Sequence, residues 1–407
     1  MGAQAVSTDA VKPLVLIPQY FGCLVFDRRS SRYLPFDRDS TDLLLRALEQ
    51  PLEGEGLEDF LEPLHEEGFW DLQGCFDGEV LPLEPPDDHL AGPLVVHLEV
   101  AAACNLSCGH CFAGSLPRRE EALRLDELDR LFAELAAMGC FRLSLTGGEP
   151  LLRKDLLQIL DGALARGLCP SLTTNGLLLT EELAEELGRR SLVWLNVSLD
   201  GATPASNDPI RGAGSWQRVC QKLTLLRGRV AFSLAFTLTS TNVDEVQDCL
   251  RLAEQVGAAG AVFRPLYPTG KARAQPQWMP SYEQYCNAVE QLTYSPQSRG
   301  QRASRLYTGP GCGAANLICS VSLGGTVNPC SYLGSEFEAG NLRQRSFADI
   351  WHQSQRFRQL RGPQPEEFRG GCRARAQALA GSATAADPWH EEYLARGGFA
   401  PAANWEA

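Results

Sequence analysis

Residues 94–111 read LVVHLEVAAACNLSCGHC. The apolar run that ends at Val100 has the length of a buried strand, and the cysteine-bearing loop follows it without a helix in between. Outward from this point the chain alternates. LDELDRLFAELAAMG (125–139) places apolar residues at helical spacing up to a glycine stop, and FRLSLTGGEP (141–150) reads again as a strand running into a turn. Helix KDLLQILDGALARG (154–167), strand CPSLTTNG (169–176), helix TEELAEELGRR (180–190) and strand VWLNVSLDG (193–201) continue the series. Helix SWQRVCQKLTLLRG (215–228), strand VAFSLAFTLTS (230–240), helix VDEVQDCLRLAEQVG (243–257) and strand AVFRPLYPTG (261–270) complete it. Strands alternating with helices of this length predict a parallel sheet, and six β/α units predict an α/β fold built on a partial (β/α)6 TIM-like barrel. Chemistry in such a barrel belongs at the C-terminal ends of the strands.

The loops at those ends carry the informative residues. Cys104, Cys108 and Cys111 are spaced C-x3-C-x2-C. Three thiolates from one short loop can hold three irons of a cubane cluster and leave the fourth iron open to another ligand. Gly147, Gly148, Glu149 and Pro150 close the second strand. Paired glycines let backbone approach a ligand, and the carboxylate can accept from an ammonium group.

Composition narrows the function classes. The chain has 407 residues, of which 44% are hydrophobic and 21% charged, enough for two or three domains with substantial cores. Fifty acidic against 37 basic residues give a net charge of -13, which argues against sequence-blind nucleic-acid binding. No run of about 18 apolar residues predicts a membrane span, and the opening MGAQAVSTDAVKP lacks the pattern of a signal peptide. The expected location is therefore the cytoplasm, where 14 cysteines serve metal or redox roles better than a disulfide framework. Cys140, Cys169, Cys220, Cys249 and Cys286 stand singly and read as small buried hydrophobes, while Cys23 and Cys75 have no partner spacing.

Two further regions flank the barrel. Residues 1–90 read as three strands (LVLIPQ, CLVFDR, RYLPFD), two helices (STDLLLRALEQ, LEDFLEPLHEEGFW) and a polar stretch, a small α+β unit of winged-helix-like order. Pro82, Pro85 and Pro86 with Asp87 and Asp88 mark the linker to the barrel, residues 91–300. Residues 301–407 hold Cys312, Cys319, Cys330 and Cys372, the number that a closed cluster needs. On count alone four thiolates also suit structural zinc.

Taken together, the cysteine loop with His110 before its last cysteine, the GGEP turn, T-N-G at Asn175, S-L-D-G from Ser198 and R-x-L-x-P-x-G-K-A from Arg264 resemble the radical S-adenosylmethionine enzymes. The resemblance covers about residues 94–272. It implies that the methionine amino and carboxylate groups chelate the open iron of a [4Fe-4S] cluster, and that the product is a 5'-deoxyadenosyl radical. It further implies that Gly147, Gly148 and Glu149 hold the amino group, that Asn175 belongs to the cofactor site, and that Ser198 and Arg211 contact carboxylate or ribose. His110 is read as packing near the adenine. The C-terminal cysteines, with Gly325 between Cys312 and Cys330, G-N-L at 340–342, D-I-W at 349–351 and G-G-C-R-A-R-A from Gly370, resemble the SPASM extension of the same family. In its full pattern further cysteines stand where this chain has Gln359, Gly362, Phe368 and His390. The expectation is one auxiliary cluster on Cys312, Cys319, Cys330 and Cys372, and no second one.

The N-terminal unit is similar to the PqqD-like peptide-recognition element of ribosomal-peptide maturases, which binds a leader peptide by strand addition. The reading is thus a SPASM-type radical enzyme that modifies a ribosomally made precursor peptide, often ending in a crosslink, with flavodoxin or ferredoxin as electron donor. Its enzymatic alternatives are a tetrapyrrole side-chain oxidase or decarboxylase and a sulfatase-type maturase. A non-catalytic iron–sulfur electron-transfer or peptide-carrier protein is the alternative of another class.

Overall fold

The structure is a computed structural model, and it describes residues 12–49, 62, 64–65, 76–114, 121–293, 302–303 and 312–397. The chain divides into two compact units near Ala91.

In the first unit, β1 (Leu14–Gln19), β2 (Gly22–Asp27) and β3 (Arg32–Asp37) form an antiparallel meander. A short β4 (Gly78–Val80) pairs parallel to β1, so the sheet order is β3-β2-β1-β4. The helix α1 (Arg38–Glu49) sets Leu44 and Ala47 into a core with Leu14, Leu16, Cys23 and Val25. β4 lies in the stretch read as merely polar; three residues are too few for an alternation signal, and pairing with β1 decides it. The second helix read from the sequence, and Cys75, fall largely outside the described residues.

The second unit is built on six parallel strands: β5 (Val95–Ala101), β6 (Arg142–Gly147), β7 (Cys169–Thr174), β8 (Trp194–Leu199), β9 (Ser233–Leu238) and β10 (Gly260–Pro265). The connecting helices are α2 (Leu125–Ala137), α3 (Leu156–Ala165), α4 (Glu181–Gly188), α5 (Pro204–Arg211), α6 (Ser215–Leu223) and α7 (Val246–Val256). This is the partial barrel expected from the strand and helix alternation. Along β5 the residues alternate, with Val96, Leu98 and Val100 buried and His97 and Glu99 on the other face. The register between β5 and β6 shifts at Glu99/Ala101, an irregularity that ends the ladder where the cysteine loop departs.

One helix of the barrel was not legible. α5 is eight residues long and contains Pro209, which argues against a helix in sequence. It forms because Thr203 and Ser206 make a capping box and Pro204 occupies the first turn.

The C-terminal extension adds to the barrel sheet. β12 (Ile318–Val321) pairs parallel with β5, and β13 (Thr326–Asn328) and β14 (Gly340–Asn341) continue the sheet, with β11 (Arg302–Ala303) beyond β10 at the other edge. The result is one ten-stranded sheet. Helices α9 (Phe347–Gln353), α10 (Gln355–Arg361), α11 (Arg373–Ala380) and α12 (Pro388–Ala395) follow; α8 (Tyr282–Thr293) precedes the extension.

Candidate active site

The ends of β6, β7 and β8 and the cysteine loop after β5 surround one cavity of about 1040 Å³ that opens to solvent. All ten residues assigned to the radical site from sequence line it: Cys104, Cys108, His110, Cys111, Gly147, Gly148, Glu149, Asn175, Ser198 and Arg211. The loop is held close by glycine. A Cβ on Gly148 would lie 2.3 Å from the Ala103 oxygen, and Gly147 has φ +136 with the Ala101 oxygen 2.5 Å from its would-be Cβ. That approach permits the amides of Gly148 and Glu149 to donate to Ala101 and Ala103 at 2.7 and 2.8 Å.

Glu149 is fully buried, and one oxygen accepts from the Leu151 amide at 3.0 Å and the Thr174 hydroxyl at 2.6 Å. Its other oxygen accepts from the Asn175 amide at 2.7 Å. Burial pushes its carboxyl above the ordinary value, with the three donors pulling the other way. Asn175 in turn donates to Asn105 at 2.7 Å and lies 3.8 Å from the Cys104 sulfur.

The residue that sequence reasoning left without a role is Asp200, in the quoted S-L-D-G. It is fully buried, and its Oδ2 lies 2.8 Å from His110 Nε2 and 2.5 Å from Arg211 Nε. Neither contact has hydrogen-bond alignment, so charge is what joins them. Oδ1 accepts from the Thr237 amide at 2.9 Å. Burial alone would raise the Asp200 carboxyl, yet Arg211 and His110 hold it well below the usual carboxylate range. A carboxylate at a strand end with an arginine eleven residues on was the available signal.

The thiols are free. Burial raises Cys104, and it pushes Cys108 up to about 11 against the opposing charge of Arg211. A metal that takes them as thiolates must therefore displace protons. The Leu106 amide donates to the Cys104 sulfur at 3.4 Å, which suits a sulfur carrying negative charge.

In the extension, Cys312, Cys330 and Cys372 pack together with Ala314, Leu333 and Phe337. Burial pushes Cys372 up to about 11. Cys319 does not join them. Ile318 packs on that cluster, and strand alternation turns the next residue to the opposite face, where Cys140 and Arg361 are its electrostatic neighbours together with Cys330. The structure thus brings three of the four expected cysteines together. Among the described residues no three cysteine, histidine, aspartate or glutamate side chains already stand in metal-holding geometry.

Residues 98–253 match the Radical SAM superfamily, and residues 312–374 match SPASM, an iron-sulfur cluster-binding domain. The AdoMet-dependent heme synthase of Methanosarcina barkeri is 32% identical over 340 residues, covering 73% of this chain and 96% of that protein. The chain belongs to the radical SAM superfamily.

A mycofactocin maturase of Mycolicibacterium smegmatis is 30% identical over 318 residues, 70% of this chain and 79% of its own. Among solved structures, SuiB of Streptococcus suis bound to S-adenosylmethionine superposes with a TM-score of 0.73 at 14% identity, covering 93% of this chain and 99% of SuiB. SuiB bound to its precursor peptide SuiA gives 0.71 at 15% identity, covering 92% and 97%. As a radical SAM enzyme the chain works with a [4Fe-4S] cluster and S-adenosylmethionine, and its SPASM region takes an auxiliary iron–sulfur cluster. The residues present fit both. Three soft donors line one end of the cavity, and the His110 ring nitrogens beside them have no aligned hydrogen-bond partner within the chain. No described helix is long and apolar enough to cross a membrane.

Proposed function

We propose that this radical SAM enzyme modifies a ribosomally synthesised precursor peptide. The observation that carries the reading is that one chain carries both an N-terminal sheet module and the radical cavity. Among the described residues β3 is the outer strand of that sheet, and an extended leader peptide adds to an outer strand by backbone hydrogen bonds. A fold likeness to SuiB that spans 92% of the chain supports the same reading.

In this reading Cys104, Cys108 and Cys111 hold the radical cluster, and Cys312, Cys330 and Cys372 hold the auxiliary one. When bound, the cluster and S-adenosylmethionine supply a carbon radical that removes a hydrogen atom from substrate. The chain's own residues position and exclude. Glu149, fixed by three donors, would accept from the methionine ammonium; Arg211, set by Asp200, would bind the carboxylate; Ser198 would contact the ribose. Phe112, Phe236 and Leu266 add apolar wall to the cavity.

Mass spectrometry of candidate precursor peptides after incubation with the reduced holoenzyme tests the proposal. A loss of about two hydrogens is the outcome expected for a crosslink. Unchanged peptides together with altered tetrapyrrole side chains would move the assignment to the heme-synthase chemistry named for the Methanosarcina relative.

A further inference from the structure

Among the described residues, every charged side chain lining the cavity but one has a structural partner. Glu149 is held by three donors, and Arg211 and His110 share Asp200. The exception is Arg264, near the C-terminal end of β10, in register with Thr237 of β9. It lines the cavity and is exposed within it, and among the described residues it makes no hydrogen bond or ion pair.

Its titratable neighbours do not neutralise it. They are His97 on β5 and Tyr332 after β13, and Arg142 adds a second positive charge that acts on His97. Burial and these two arginines push His97 down to about 4, so the imidazole is neutral at physiological pH. Beside Arg264 the cavity wall is aromatic. Tyr267 stacks on Tyr332 at 4.2 Å and Phe112 meets Tyr332 edge-on at 5.2 Å. The Tyr332 amide donates to the Cys330 sulfur at 3.5 Å, so this wall stands between the radical end of the cavity and the auxiliary cysteines.

We infer that Arg264 is the substrate's anion site, binding a carboxylate attached to an apolar or aromatic body that lies along the Tyr267–Tyr332 wall. A guanidinium presents two parallel donors that match a carboxylate, and the aromatic wall beside it offers packing to the apolar body that carries that carboxylate. The inference rests on the cavity being a substrate site and names what it would select, whether the substrate is a peptide or another molecule.

The test uses no peptide, so its failure is separable from failure of the maturase reading. Binding of 3-phenylpropionate and of its neutral isostere 3-phenylpropanamide to the reconstituted holoenzyme with S-adenosylmethionine is measured by calorimetry. The carboxylate is expected to bind about tenfold tighter than the amide. Arg264→Gln is expected to remove that preference and Arg264→Lys to retain part of it, with iron content checking that each variant is loaded. Equal affinities in the wild type, binding of neither compound, or an undiminished preference in Arg264→Gln overturns the inference. Should the Gln variant fail to load, the wild-type comparison still decides.

Discussion

Replacing Asp200 by asparagine keeps the size of the side chain and removes its charge. Arg211 and His110 would then sit buried without their shared counter-ion, a loss that costs about 3–5 kcal/mol when one partner of a buried pair is removed. Part of that cost falls on the cofactor site, and Asp200→Asn should weaken S-adenosylmethionine binding by about tenfold or more in an equilibrium titration of the reconstituted enzyme. At this scale the sequence was legible where the chemistry is local. The cysteine trio and the GGEP turn each lie within a few residues, and they name their own neighbours. Asp200 was not legible as a hub because its partners come from the cysteine loop, some ninety residues earlier, and from the end of α5, a helix hidden by Pro209.

Elements explain why some cysteines meet and others do not. Cys319 has the right residue type and about the right spacing, but a strand turns neighbouring side chains to opposite faces, and Ile318 takes the face toward Cys312, Cys330 and Cys372. Counting cysteines could not reveal this, since β12 takes its place in the sheet by pairing with β5, more than two hundred residues away. The turn after β6 acts in the same way on the cysteine loop. Gly148→Ala puts a methyl group 2.3 Å from a backbone oxygen of Ala103, which no side-chain motion relieves. The variant should lose the radical cluster and keep the auxiliary one, so iron per chain falls from about eight to about four. Wild-type iron in that variant would show that the close approach is dispensable. The lumen face of β5 has a pH signature through His97. Its folded value lies below the unfolded one, so the unfolded chain binds more protons between about pH 6.5 and 4, and stability falls as pH falls through that window. Chemical denaturation of the apoprotein should show about 2 kcal/mol lost from this group between pH 7 and 5, and His97→Asn should remove that share of the slope.

Across the whole molecule, the barrel and its extension act as one sheet, a continuity the reading of separate domains did not anticipate. Beyond that sheet, the region where the full SPASM pattern carries further cysteines is knit by other means. Arg375 pairs with Asp387 through contacts of 2.5 and 2.6 Å, Asp387 also accepts from the Cys372 amide at 2.6 Å, and the Arg375 guanidinium lies 4.4 Å from the Trp389 ring centre. Arg373 lies 4.0 Å from the ring centre of Phe368, one of the residues at those cysteine positions. Asp387→Ala should destabilise the protein by about 3–5 kcal/mol in equilibrium unfolding and loosen the backbone that presents Cys372. A near-neutral result would mean that the pair only fills space. The barrel was legible from its alternation of strand and helix. The joining of β12 to β5 was not, because it depends on tertiary pairing rather than on local pattern. The most direct measurement is formation of 5'-deoxyadenosine by the anaerobically reconstituted chain on reduction with dithionite in the presence of S-adenosylmethionine. The wild type should form it, and a Cys104→Ser, Cys108→Ser, Cys111→Ser variant should form none while retaining its auxiliary iron. No product from the wild type, or equal product from the triple variant, would contradict the assignment of this cavity as the radical site.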